Sequence, residues 1–317
     1  MEHMRMIGLG RWKVRCWNMI DAARVGTKAC PPYLDLDDTL RQGAEALGAT
    51  LNLDPREARL EAQILLCRVL GQTRSYLVSH DRDPLSPRQA ADFNALLERR
   101  LKGEPIAYIL GEREFHSLRF KVTPDVLIPR PETELLAELA LARLPSDRPC
   151  RVLDLGTGSG ALAITLALHR SHCEVLAVDQ SAAALEIARE NARTLGAGKL
   201  RFMQSDWYGA LAEEKFDLIV SNPPYIAAAD PHLARGDVRF EPDEALVSGV
   251  DGLDAIRVIV RGAPAHLNAA GWLLFEHGYD QAAACRELLR QAGFSLVSSS
   301  RDLSGIERVT CGQISAV

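Results

Sequence analysis

Residues 150–311 predict a doubly wound α/β domain with a mostly parallel, seven-stranded sheet, and three observations support this. Apolar runs of strand length alternate with helical stretches. A glycine-rich turn lies where the first run meets the first helix, and a proline-rich turn follows the fourth run. Strands are expected at Arg151–Leu155, Glu174–Val178, Leu200–Met203, Phe216–Val220, Trp272–Phe275, Phe294–Val297 and Glu307–Cys311. Helices are expected at Ala161–His169, Ala182–Leu195, Ile256–Ala265 and Gln281–Ala292. Only a short loop separates the last two strands, which suggests a hairpin on an otherwise parallel sheet.

Three segments precede this domain, which is taken to begin at residue 129. Residues 1–33 carry Arg5, Arg11, Lys13, Arg15, Arg24 and Lys28 against Glu2 and Asp21. That charge bias resembles a transit peptide, but no apolar segment or serine enrichment accompanies it. A disordered extension or an upstream start codon is expected instead. Residues 34–105 read as a small helical bundle. Asp54-Pro55-Arg56-Glu57 supplies an N-cap carboxylate and a first-turn proline, Gly71 can stop that helix, and Ser86-Pro87-Arg88-Gln89 repeats the capping signal. Residues 106–128 are expected to form a linking β-hairpin, with Tyr108–Leu110 in one strand, Phe115–Val122 beyond it, and Gly111 with its polar neighbours in the turn.

Composition narrows the function classes. At 317 residues with 47% hydrophobic content, the chain can bury a core without a disulfide or metal staple. A net charge of −5 argues against a nucleic-acid backbone as the main partner, because phosphate neutralisation needs a basic face. Seven scattered cysteines with no C-x-x-C spacing point to unpaired thiols in a reducing compartment, and no histidine or cysteine cluster has metal-ligand spacing. No apolar run approaches the roughly 18–20 residues needed to span a bilayer. The expectation is a monomeric, cytoplasmic protein without a metal.

The glycine-rich turn is Asp154-Leu155-Gly156-Thr157-Gly158-Ser159-Gly160. Its glycines allow a ligand to approach backbone at a helix N-terminus. A dinucleotide would fit the same spacing, but a carboxylate at Asp154 would repel its pyrophosphate. S-adenosylmethionine carries an ammonium and a sulfonium, which a carboxylate attracts. Asp179, ending the second strand, is placed to accept both ribose hydroxyls, unless it only caps the following helix. Asp206-Trp207, after the third strand, are candidates to bond and stack on adenine.

The proline-rich turn is Asn222-Pro223-Pro224-Tyr225, at the carboxyl end of the fourth strand, where open α/β sheets bind ligands. The Asn222 side-chain oxygen and the Pro223 carbonyl can accept both hydrogens of one NH2 group, while the Tyr225 ring lies against a planar acceptor. An amide or conjugated amine is a poor nucleophile. Two acceptors aimed at its hydrogens favour the partly positive nitrogen formed as a methyl group arrives.

These motifs resemble the HemK/PrmC family of peptide chain release factor N5-glutamine methyltransferases, across roughly residues 36–311. Pro129-Arg130-Pro131-Glu132-Thr133-Glu134 is similar to the family's signature, and Glu241-Pro242, Gly252-Leu253 and Glu307-Arg308-Val309 are similar to later blocks. The resemblance implies a class I methyltransferase (Rossmann-like) fold and S-adenosylmethionine as donor. It implies the glutamine of a Gly-Gly-Gln loop in class-1 release factors as acceptor, with no direct nucleic-acid or membrane partner. It also implies a donor site using Gly156–Gly160, Asp179, Trp207 and Asn222, and a substrate site using Asn222–Tyr225. Arg130 and Glu132 are assigned to substrate, with a salt-bridged loop cap as the alternative for Arg130. The chain departs at Glu276-His277-Gly278, where Glu-Ile-Gly is expected, and Glu276 is left without a role. Rival readings are a ribosomal-protein glutamine methyltransferase, a DNA adenine-N6 methyltransferase, a nucleotide-sensing module and a hydride-transfer oxidoreductase.

Overall fold

The computed structural model describes residues 34–315. The expectations for residues 1–33 lie outside the described residues. Five helices come first: α1 (Leu36–Leu51), α2 (Pro55–Leu70), α3 (Arg74–Ser79), α4 (Pro87–Leu101) and α5 (Ile106–Leu110). The cap signals work as their chemistry requires. The Asp54 side chain accepts from the N–H groups of Arg56 and Glu57, Gly71 closes α2 in the left-handed region, and Ser86 and Gln89 form a reciprocal capping box. Leu40, Leu47, Leu65, Leu66, Leu77 and Phe93 fill the bundle core.

The hairpin is shorter than its expected span. Tyr108–Leu110 belongs to α5 rather than to a strand, and Gly111 ends that helix at φ +75° instead of forming the hairpin turn. Three apolar residues in a row do not distinguish a short helix from a strand, and burial of Ala107, Tyr108 and Ile109 decided for the helix. The hairpin pairs β1 (Glu112–Phe115) with β2 (Leu118–Lys121). Its turn is His116-Ser117, both left-handed at φ +49° and +61°, as the right-handed strand twist favours in a two-residue loop.

Beyond it follow α6 (Thr133–Arg143), β3 (Cys150–Leu155), α7 (Ala161–His169), β4 (Cys173–Asp179), α8 (Ala182–Leu195), β5 (Arg201–Gln204) and β6 (Phe216–Ser221). After three short 3-10 turns come α9 (Asp254–His266), β7 (Leu267–Glu276), α10 (Ala282–Gln291), β8 (Phe294–Arg301) and β9 (Glu307–Ile314). Helix α6 has no counterpart among the sequence expectations. It lacks a side-chain N-cap bond and buries Leu136, Ala137 and Ala140, so neither a cap nor a clear amphipathic stripe marks it.

The seven-stranded sheet has the order β5-β4-β3-β6-β7-β9-β8, with β9 antiparallel to both neighbours. The chain runs outward from β3 to β5 and then returns to β6 on the other side of β3. The crevice therefore opens beyond the carboxyl ends of β3 and β6. Leu155 pairs with Ser221, so Gly156 and Asn222 leave adjacent strand ends side by side.

One expectation about cysteines fails. Cys150 and Cys173 face each other in register at the start of β3 and β4, with Cα atoms 4.5 Å apart, and are joined by a disulfide. Their separation of 23 residues carries no local signal, because strand register brings them together. Among the described residues Cys67, Cys285 and Cys311 are free, and no His, Cys, Asp and Glu group has the arrangement of a metal site.

Candidate functional site

Two cavities open at the crevice. The larger, about 460 Å³, is lined by Asp154, Gly156, Thr157, Gly158, Ser159, Asp179, Asp206, Trp207, Asn222 and Pro224, among others. The smaller, about 310 Å³, is lined by Arg130, Glu132, Asn222, Pro223, Tyr225, Glu276 and Arg308, among others. Asn222 borders both. The structure thus gathers nearly every residue singled out in the sequence, and it divides them. Pro224 faces the larger cavity, whereas its neighbours Pro223 and Tyr225 face the smaller one.

Gly160 lines neither cavity. It precedes α7 at φ +82°, and a Cβ there would meet Ile164 and Ala188, so its smallness serves close packing of α7 on α8. Gly156 and Gly158 also have positive φ and do border the larger cavity.

The larger cavity is lined by the buried Asp154 and the half-buried Asp179. Asp154 accepts from the Thr157 hydroxyl at 2.7 Å, and burial pushes its pKa up to about 7. Asp179 accepts from the Gly158 N–H at 2.8 Å and the Ser181 N–H at 2.9 Å. Burial raises its pKa, while those backbone donors oppose the rise. Capping of α8 falls to Ser181, whose hydroxyl accepts from Ala184 N–H. Asp179 instead ties the glycine loop to the end of β4. Such a site fits a cationic adenosine ligand better than a pyrophosphate, since a nearby cation favours ionised carboxylates. Trp207 is held in the left-handed region at φ +46°, close to Gly156.

Around the smaller cavity the Pro-Arg-Pro-Glu-Thr-Glu signature is distributed among several tasks. The Arg130 guanidinium pairs with Glu241, whose carboxylate also accepts from Ile128 N–H. Glu134 accepts from the His116 N–H and steadies the hairpin turn. Thr133 donates its hydroxyl to Glu276 at 2.7 Å and accepts from the Asn222 side-chain NH2 at 3.1 Å. Among the described residues, the Asn222 side-chain oxygen is buried without a hydrogen-bond partner. Tyr225 donates its hydroxyl to the other Glu276 oxygen at 3.1 Å, and its carbonyl accepts from Gln281 at 3.0 Å.

Glu276 is the site residue that sequence reasoning left unassigned. Its partners come from α6 and from the turn after β6, and only the sheet order unites them. Burial pushes its pKa up to about 7. His277, which departs from the expected isoleucine, is fully buried and satisfied. Its Nδ1 pairs with the Gly278 carbonyl and its Nε2 with the Thr310 hydroxyl, and burial lowers its pKa.

Asp154 and Glu276 have raised pKa values in the folded state, from 3.8 and 4.5 to about 7. Between these limits the unfolded chain binds fewer protons, so their contribution to stability is lost as pH rises through about 7. Thermal melts of the ligand-free protein should show the melting temperature falling between pH 5 and pH 8, less steeply in Glu276→Gln. A flat profile would refute the assigned burial.

Gly252 supports the same turn. It has φ +75°, and a Cβ there would collide with the Tyr225 carbonyl and crowd Gln281. Gly252→Ala is expected to lower turnover by about 10²-fold through displacement of the Asn222–Tyr225 turn, with donor affinity retained. Steady-state rates and calorimetry on one preparation check this.

A family model described as the methyltransferase small domain matches residues 132–236. With this fold and site, it defines the class as a Rossmann-like methyltransferase. A second model, the PrmC N-terminal domain, matches residues 38–111. The release factor glutamine methyltransferase of Bordetella pertussis is 54% identical over 262 residues, covering 82% of this chain and 97% of that one. The Escherichia coli protein of the same description is 48% identical over 255 residues, covering 80% and 92%. The chain belongs to the release factor glutamine methyltransferase family. Among solved structures, the hMettl16 catalytic domain in complex with the MAT2A 3'UTR hairpin 6 aligns with a TM-score of 0.50 at 15% identity, over 72% of this chain and 82% of that one. That likeness is one of fold.

Proposed function

We propose that this enzyme transfers the methyl group of S-adenosylmethionine to the side-chain amide nitrogen (N5) of the glutamine in the Gly-Gly-Gln motif of class-1 peptide chain release factors. The observation that carries this reading is the buried, unpartnered Asn222 oxygen on a residue bordering both cavities. A buried acceptor left unpaired costs roughly 1–3 kcal/mol, and an incoming N–H relieves it. The names carried by the relatives support the choice of acceptor.

In this reading the larger cavity takes the donor. Asp179 accepts from the ribose hydroxyls, Asp206 and Trp207 take the adenine, and Asp154 with the Gly156–Gly160 loop receives the amino-acid end. The bound donor supplies an electrophilic methyl group on a sulfonium. The glutamine amide enters the smaller cavity, where the Asn222 oxygen and the Pro223 carbonyl accept its two hydrogens and Tyr225 packs on its plane. Both acceptors gain strength as the nitrogen becomes positive, so they favour the transition state over the ground state. As the N–CH3 bond forms the S–CH3 bond breaks, S-adenosylhomocysteine leaves, and the nitrogen, acidic only from that point, gives up one proton to water, so no strong base is required beforehand.

Arg130 and Glu132, at the rim of the smaller cavity, are assigned to the substrate, although the pairing of Arg130 with Glu241 supports the loop-cap alternative for Arg130 equally. The helical bundle is assigned to recognition of the release factor. Buried Arg100 of α4 joins Glu61 to Asp237, beside the cavity-lining Val238, and so ties the bundle to the acceptor wall. Among the described residues no helix is long and apolar enough to cross a membrane. We assign the protein to the cytoplasm as a monomer, where release factors are its substrate.

The test is incubation of the purified protein with labelled S-adenosylmethionine and a release factor, with the label mapped by mass spectrometry. Label on the Gly-Gly-Gln glutamine is expected. Label on nucleic acid, or on a ribosomal protein alone, would overturn the assignment.

A further inference from the structure

Resting on that reading of the clamp, we infer that Glu276 and Thr133 are positioning residues that fix which end of the Asn222 amide is left for the substrate. The inference follows from proton counting. A threonine hydroxyl has one proton to donate. With Glu276 ionised it goes to Glu276 Oε2, so the same oxygen can only accept from its other neighbour. The Asn222 group facing it must therefore be the NH2, and the amide oxygen is turned to the unpartnered side. With the amide reversed, the Asn222 oxygen would compete with Glu276 for that single proton, and an NH2 would face the incoming NH2.

The second oxygen of Glu276 accepts from the Tyr225 hydroxyl, so one carboxylate orients both the hydrogen-bonding and the stacking members of the clamp. The placement is built by topology. Ser221 pairs with Phe275, which sets Asn222 beside Glu276, while Thr133 opens α6 against them. Glu276 borders the smaller cavity, but both of its oxygens are engaged by Thr133 and Tyr225, so its influence is assigned to pass through them.

The inference separates polarity from shape. Thr133→Val keeps the volume but removes the acceptor for the Asn222 NH2, whereas Thr133→Ser keeps it. Release-factor methylation by Thr133→Val is expected to show kcat lowered about 30-fold or more, with KM for the release factor and affinity for S-adenosylhomocysteine within about threefold of wild type. Thr133→Ser is expected to recover kcat to within about fivefold of wild type. Glu276→Gln, whose NH2 can face Thr133 and release the hydroxyl proton toward Asn222, should lose kcat in the same pattern. It also reports independently if Thr133→Val does not fold.

Wild-type kcat in folded Thr133→Val or Glu276→Gln would overturn the inference. So would equal loss in the valine and serine variants, or loss confined to donor affinity. Failure of the underlying clamp reading would look different, because Asn222→Ala would then retain turnover.

Discussion

Asn222→Ala is expected to lower methyl transfer by about 10²–10³-fold while leaving affinity for S-adenosylhomocysteine within about threefold. The magnitude is that for removing one preorganised hydrogen-bonding group from a site where charge develops. The selectivity follows from the placement of the other donor-cavity residues. Asp154, Gly156, Gly158, Asp179, Asp206 and Trp207 line the larger cavity together with Asn222, so most of the donor's contacts are expected to survive truncation of the Asn222 side chain. Asn222→Asp should not rescue. It offers an acceptor, but its second carboxylate oxygen would face the Thr133 oxygen, whose proton already serves Glu276. Two buried carboxylates would then share one hydroxyl. Initial rates with a release factor, combined with calorimetry on S-adenosylhomocysteine, check both variants. Undiminished turnover in Asn222→Ala would remove the basis of the proposed function.

The parts of this site that were readable in the sequence are those whose chemistry is local. A glycine loop between a strand and a helix, and Asn-Pro-Pro-Tyr directly after another strand, carry their constraints within a few residues. The strand alternation was equally readable because burial of a parallel sheet imposes apolar runs. Glu276 was not. Its importance depends on β7 lying beside β6 and on α6 delivering Thr133 to the same point, and neither fact is written near Glu276. Helix α6 was itself missed, so Thr133 had no position from which its hydroxyl could be assigned. The signature around Arg130 was recognised as a unit, yet its members act separately: Arg130 on Glu241, Thr133 on Glu276 and Asn222, and Glu134 on the hairpin turn. The Cys150–Cys173 bridge and the helical Tyr108–Leu110 failed for the same physical reason, since register and burial are settled by tertiary contacts.

Asp179→Ala should act on the opposite half of the reaction. Both carboxylate oxygens already accept a backbone N–H, one from Gly158 and one from Ser181, and each keeps a lone pair for a ribose hydroxyl. Truncation would therefore remove the ligand's acceptors and release the glycine loop from the end of β4 together. With hydrogen bonds to a charged group worth about 1.5–3 kcal/mol each, loss of two weakens S-adenosylhomocysteine binding by about 10²-fold or more. Asp179→Asn should fare little better. Whichever way its amide turns, the NH2 confronts a backbone N–H, either that of Gly158 or that of Ser181, and one donor is left without an acceptor. Calorimetric titration of the two variants checks this, and at saturating donor their kcat should lie much closer to wild type than that of Asn222→Ala. Equal donor affinity in wild type and Asp179→Ala would mean that the larger cavity does not hold the ribose where Asp179 ends β4.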